Sequence, residues 1–171
     1  MYAGGSQIVI DGGFAGDTSV AGGAEDVGNG GVDSDSFVYS GGVENVFGNS
    51  YYANIYAGGS AYVADGGVIW DAAVGSGGVE IIDSGGSSYS DTIAVGGNEN
   101  VLSGGEANGA TVSWNQNVFT GDQTEYTSVL SGGFQYVEGG LTYYTGLDNG
   151  GAQYVSSGGA ADYTTVSSGG G

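Results

Sequence analysis

Nineteen aspartates and glutamates stand in this 171-residue chain without a single lysine, arginine or histidine. Carboxylates alone can gather a cation, or, working in pairs, hydrolyse a glycosidic bond. The other parts of a catalytic apparatus are missing. Without Cys, His, Lys or Arg there is no nucleophile–base pair, no oxyanion clamp and no imidazole or thiolate metal site. Glycoside hydrolysis by two carboxylates also needs an irregular cleft, and the sequence has no long loop to build one. The chain is therefore expected not to be an enzyme and to carry no cofactor. A formal charge of -19 repels nucleic acid and anionic lipid surfaces alike, leaving cations, neutral sugars and basic partners as attractive surfaces.

The acids are not scattered. Gln7, Glu25, Glu44, Ala61, Glu80, Glu99, Gln116, Gln135 and Gln153 recur at one position of a repeat. This column reads either as a stacked amide and carboxyl ladder beside a corner or as a cation site at Glu25 with Glu44 or Glu80 with Glu99. The ladder is the favoured reading, since the Gly-Gly-x-Gly-x-Asp spacing of calcium-binding solenoids is absent. Its direction stays open. Alternation places Gln153 on the side of Val155, whereas glutamates at the same position argue for solvent.

Two other groups could make contacts. Tyr126, Tyr144 and Tyr163 occupy one position in three successive repeats, opposite in parity to the inward valines, and Tyr62, Tyr136 and Tyr154 share another. Outward tyrosine columns can meet sugar rings or a protein, although cross-repeat stacking within the sheet is the weightier role. Serines precede the glycine pairs at Ser40, Ser76, Ser84, Ser103, Ser131, Ser157 and Ser168, where turn-making is the plain role. No Asn-x-Ser/Thr sequon occurs, so asparagine-linked glycan is not expected.

What must position these residues is the repeat itself, clearest at Asn149 to Val166 and matched at Ser76 to Ile93 and Ala21 to Val38. Aligned on glycine pairs, the chain divides into nine coils: 3–20, 21–39, 40–56, 57–75, 76–94, 95–111, 112–130, 131–148 and 149–167. A period near 20 residues points to a solenoid. Glycine and charge at this level can also mean disorder, but the 39% hydrophobic residues recur in register. Val9, Val27, Val46, Val63, Ile82, Val101, Val118, Val137 and Val155 form one apolar ladder; Val20, Val38, Ile55, Val74, Ile93, Val112, Val129, Leu147 and Val166 form another. β-Branched residues in runs of about five to eight suit strands. A small-residue ladder (Thr18, Ser36, Ala53, Ala72, Asp91, Ala110, Thr127, Thr145, Thr164) calls for a narrow interior in which Asp91 is the misfit. Gly-Gly fits tight corners, with exceptions at Gly48-Asn49, Trp114 and Gly121-Asp122, Trp114 being the real break. The expected fold is all-β, a parallel β-helix (β-solenoid) of nine coils, each with two short strands and two Gly-Gly corners, forming one unit over residues 1–171 and a rod on the order of 40 Å long.

The texture GGAQYVSSGGAADYTTV (Gly150 to Val166), GGFQYVEGGLTYYTGL (Gly132 to Leu147) and GGVEIIDSGGSSYSDTI (Gly77 to Ile93) closely resembles the strand-loop-strand repeat of bacterial autotransporter passenger regions, best known from AIDA-type diffuse-adherence adhesins. The resemblance covers nearly the whole chain. It implies a right-handed parallel β-helix exported to the cell surface, acting in adhesion, autoaggregation and biofilm formation. It further implies heptose addition to serine or threonine by a dedicated glycosyltransferase, which makes Ser40, Ser76, Ser84, Ser103, Ser131 and Ser157 candidate acceptors. Departures from the family pattern are the absence of a signal peptide and of a membrane barrel, together with a high tyrosine content.

The resulting expectation is an extracellular surface adhesin or self-association rod. Its partners would be sister molecules, or a host or cell-surface glycan or protein, met in part through Tyr126, Tyr144, Tyr163, Tyr136 and Tyr154. The competing expectation is a structural filament, built by end-to-end stacking of unpaired solenoid edges. The repeat is under way at the first residues and interrupted at the last, which reads as a piece of a longer repeat region. No apolar run is long enough to cross a membrane as a helix.

Overall fold

The computed structural model describes residues 4–171 as a single stack of coils; residues 1–3, including Ala3 at the head of the first expected coil, lie outside the described residues. Three parallel sheets of nine strands each run the length of the stack, each strand pairing with its counterpart in the adjacent coil. The β-solenoid and its nine turns are as expected. The count of strands per coil is not: each turn carries three, giving a three-sided cross-section. The fifth coil shows the plan, with strands Val79–Ile82, Ser87–Tyr89 and Thr92–Ile93.

The third side was hidden because one corner contains no glycine pair. Between the second and third strands the chain turns on one residue in the left-handed region: Asp17, Asp35, Tyr52, Asp71, Ser90, Gly109, Tyr126, Tyr144 or Tyr163. Such a corner leaves no punctuation in the sequence, so SSYSDTI reads as a single strand. The turn also breaks alternation, since Ser88, Asp91 and Ile93 all point inward.

The two glycine corners use their glycines differently. Gly41 sits at φ 73°, at the third position of a turn closed by the Gly42 N–H donating to the Tyr39 carbonyl at 2.8 Å. Gly42 is glycine for another reason: a Cβ there would run into the Val20 carbonyl of the neighbouring third-sheet strand Ser19–Ala21. The pair thus turns the chain and lets successive coils approach closely.

Two exceptions to the glycine pattern are shortened corners. Register steps by 17 residues from Glu44 to Ala61 and again from Glu99 to Gln116. The first shortening leaves Phe47-Gly48 between strands, with Asn49 already in the strand Asn49–Tyr51. The second leaves Ser113-Trp114, after which Asn115 pairs with Asn98 in unbroken register. Trp114 therefore shortens a corner without interrupting the solenoid. The third exception, Asp122, is buried, and its carboxylate accepts the Phe119 and Gly104 N–H groups, each at 2.9 Å.

Apolar burial is supplied by stacking. Val27, Val46, Val63, Ile82 and Val101, and on the opposite wall Val38, Ile55, Val74, Ile93 and Val112, have no exposed surface. Each contributes roughly 1.5–3 kcal/mol relative to exposure. No coil could bury them alone. In the last coil Val155 and Val166 are about half exposed, at 47% and 55%, with a coil against them on one side.

Candidate functional site

Three groups of side chains carry the chemistry: an internal polar column, tyrosine columns on the outside, and serines at the glycine corners. The internal column comes from the Gln/Glu ladder. Its second position on each first strand faces the interior, and Glu25, Glu44, Glu80, Glu99, Gln116 and Gln135 are fully buried. The direction that the sequence left open is therefore inward, as the parity of Gln153 with Val155 suggested and against the solvent side for which the glutamates argued. Asp33 and Asp91 join the column from the other two sides of the coil. Asp33 lies on the second strand, whose inward ladder also includes Ser50, Ser88, Thr124 and Thr142. Sequence reasoning missed that ladder. Its signal was a recurrence three residues before the small-residue ladder, an odd step that strand alternation does not anticipate.

Hydrogen bonding in the column changes along the rod. Glu44 receives the Ser36 hydroxyl at 2.8 Å and the Ser50 hydroxyl at 2.6 Å. Asp91 accepts the Ala72 N–H at 2.8 Å, which supplies the misfit carboxyl with one donor. From Glu99 onward amides take over. Gln116 donates to Glu99 at 3.2 Å, Gln135 to Gln116 at 2.7 Å and Gln153 to Gln135 at 2.7 Å. Thr145 and Thr164 donate to the Gln135 and Gln153 carbonyls. Further back, both oxygens of Glu25, Asp33 and Glu80, one of Asp91 and one of Glu99 are buried without a well-formed partner.

Burial, with neighbouring acids adding to it, holds these carboxyls toward the neutral form. It raises Glu25 to about 8, reinforced by Asp33 and Glu44, and Asp33 to about 7, reinforced by Glu44. Glu99 rises to about 7 and Glu44 is raised, in both cases by burial. Glu80 is pushed well up by burial and by the charges of Asp91 and Glu99, and Asp91 by burial and by the charge of Glu99, against which hydrogen bonds from the Ala72 N–H, Ser88 and Glu80 act. Among the described residues no three acids are grouped as ligands for a metal ion. The acids of the column are enclosed by the sheets.

On the outside, Tyr126, Tyr144 and Tyr163 are 60%, 48% and 70% exposed. They point outward as expected, although they occupy the one-residue corner and not a strand. Their φ values of 53°, 54° and 57° are costly for a bulky residue. Ring centroids lie 5.1 and 4.9 Å apart and nearly parallel, so the faces cover one another and the edges and hydroxyls meet solvent. On the first sheet Tyr136 and Tyr154 stack at 5.3 Å, with Phe134 beside both, while Tyr62 is exposed elsewhere on that sheet. A further column, Tyr51, Trp70 and Tyr89 on the second sheet, went unnoticed although its members are one coil apart.

The candidate acceptor serines form two lines. Ser40, Ser76 and Ser131 lie at the corner leading into the first strand, and Ser84, Ser103 and Ser157 at the corner leading into the second. All six are exposed. Several lie over the corner glycine of the next coil: a Cβ on Gly58 would stand 2.9 Å from the Ser40 hydroxyl, and one on Gly96 would stand 2.5 Å from that of Ser76. A groove of about 370 Å³ runs between Asp122, Gln123, Leu141 and Ala160, beside the corner that Glu138 to Gly140 shorten.

Fold and surface together define a β-solenoid of autotransporter-passenger-like repeats. No family model and no curated protein matches the sequence. Among solved structures it is similar to the crystal structure of a TibC-catalysed hyper-glycosylated TibA55-350 fragment, at 30% identity and a TM-score of 0.80, over 98% of this chain and 70% of that one. The chain belongs to the family of that TibA fragment.

Proposed function

We propose that this chain is the rod of an extracellular bacterial surface adhesin that carries O-linked sugars and works without catalysis. The observation that carries this reading is the match to a fragment glycosylated by TibC, taken with two lines of exposed serines at regular corners. A glycosyltransferase of the TibC kind would meet the same corner geometry coil after coil, at Ser40, Ser76 and Ser131 on one edge and Ser84, Ser103 and Ser157 on another. Sugars there would project from the rod's edges and leave the sheets free. The tyrosine columns offer aromatic edges and phenolic hydroxyls to sister molecules or to a host glycan or protein. Basic partners are favoured by the charge, nucleic acid is not, and nothing in this segment calls for membrane insertion.

Co-expression with TibC followed by intact mass measurement tests the reading. Sugar-sized increments above the 16.7 kDa chain are expected, with peptide mapping placing them on the corner serines. A chain that stays at its bare mass while TibA is modified in parallel would remove the glycosylated-adhesin reading.

A further inference from the structure

The internal acids have no counter-charge and cannot acquire one from this chain. Glu25 pairs in register with Glu44, and Glu80 with Glu99, one coil apart inside the same wall. Asp33 and Asp91 approach from the other sides of the coil, and all six side chains are buried. Every titratable group facing them is another acid. Glu25 faces Asp33 and Glu44; Asp33 faces Glu25 and Glu44, with Asp35 nearby; Glu80 faces Asp91, Glu99 and Glu44; Asp91 faces Glu80 and Glu99. The donors supplied are neutral: Ser36 and Ser50 to Glu44, the Ala72 N–H to Asp91 and the Gln116 amide to Glu99, with Thr18 beside Glu25, the Ser34 N–H beside Asp33 and Ser88 beside Asp91. Eight carboxyl oxygens are left without a well-formed partner. Adjacent ionised carboxylates in such a site would repel one another at low effective dielectric with nothing to offset the desolvation. Protonation of each carboxyl removes its charge, and the new O–H supplies a donor to a neighbouring carboxyl oxygen.

We propose that Glu25, Asp33, Glu44, Glu80, Asp91 and Glu99 make this rod a proton-linked fold, tightly stacked when these groups are protonated and loosened from the second to the sixth coil when they ionise. The inference is independent of the adhesin reading, since it concerns the interior alone. Its sign follows from the direction of the shifts. Glu25 moves from 4.5 to about 8, Asp33 from 3.8 to about 7 and Glu99 from 4.5 to about 7 on folding. Below the lower values both folded and unfolded chains hold the proton, and the groups cost nothing. Between the lower and upper values only the folded chain holds it, so each such group lowers the folded-to-unfolded ratio about tenfold per pH unit. Stability is therefore greatest in mild acid and falls as pH rises toward 8, the reverse of a fold held by ionised, salt-bridged carboxylates.

The amide already stands at this ladder position in Gln116, Gln135 and Gln153, so Glu80→Gln is a conservative probe, with Glu25→Gln as its companion. Glu138→Gln, on an exposed acid, controls for the general effect of net charge. Urea unfolding of the whole chain at pH 5 and pH 8 is expected to show a large fall in stability for the parent protein. A fall at least tenfold smaller in the equilibrium constant is expected for Glu80→Gln or Glu25→Gln, with Glu138→Gln following the parent. Carboxyl carbon NMR of the folded parent provides a readout that needs no variant to fold, with Glu25 expected to titrate near 8. Equal pH dependence in all four proteins, or Glu25 titrating near 4, would overturn the proposal.

Discussion

The two halves of the internal column solve one problem in opposite ways. From Glu25 to Glu99 the interior carries carboxyls, with Asp33 and Asp91 beside them and eight of their oxygens lacking a well-formed partner. From Gln116 to Gln153 the same ladder carries amides, which bond to each other and to Thr142, Thr145 and Thr164. An amide has donors and an acceptor, so a stack of amides satisfies itself coil by coil. An ionised carboxylate only accepts, so a stack of carboxylates closes only with protons. Both halves share the three-stranded coil, the parallel pairing and the valine ladders, apart from the shortened corners and the half-exposed valines of the last coil. The difference teaches that a solenoid interior tolerates polarity as long as donors match acceptors, and that buried acids make the match depend on pH.

Moving an acid into the amide half should have the largest effect on this contrast. Gln135→Glu places a carboxyl between Gln116 and Gln153, removes the Nε2 donor to Gln116 and leaves a new charge unpaired. A loss of about 3–5 kcal/mol is expected at pH 8, shrinking to about 1 kcal/mol or less at pH 5, by urea midpoints at the two values. Equal losses at both would mean that packing and not charge sets the cost. A smaller effect is expected within the acid half. Ser50→Ala takes away the shorter of the two hydroxyl bonds to Glu44 and should cost about 1–3 kcal/mol, read from chemical denaturation at pH 5, where the acid half is intact. If Ser50→Ala were silent, the Ser36 hydroxyl alone would be satisfying Glu44.

The smallest change is expected outside, where the tyrosine corner opposes two comparable quantities. Tyr144→Asn relieves a left-handed backbone position that costs of order 1–3 kcal/mol and gives up two ring contacts of about 0.5–1.5 kcal/mol each. The midpoint of thermal unfolding should move by only a few degrees in either direction. A large drop would show the tyrosine column to be a structural rib of the rod. A near-zero shift would leave the exposed edges and hydroxyls available for contact duties.

Much of this was legible because a repeat reports its own period. Val63 and Ile82, or Val74 and Ile93, fall in register without any knowledge of the third dimension, and the glycine pairs mark two corners of most coils. The third corner was illegible for a definite reason. Residues such as Ser90 and Tyr126 turn the chain singly, with no glycine before or after, and the turn resets the inside–outside alternation that strand reading relies on. That concealed the second sheet's inward ladder and with it Asp33. The six candidate serines could be read as exposed corners, whereas their division into two lines required knowing which strands each corner joins.

The sequence by itself determined the solenoid, its nine turns and its valine walls, because stacking identical short strands is the only way that such brief apolar runs can be buried. Only the tertiary structure decided where the glutamates point. A single coil contains one or two of these acids and nothing to neutralise them, so local chemistry argues for solvent. Closing the coil on three sides and stacking the next one over it encloses them, and the proton becomes the partner the chain does not encode.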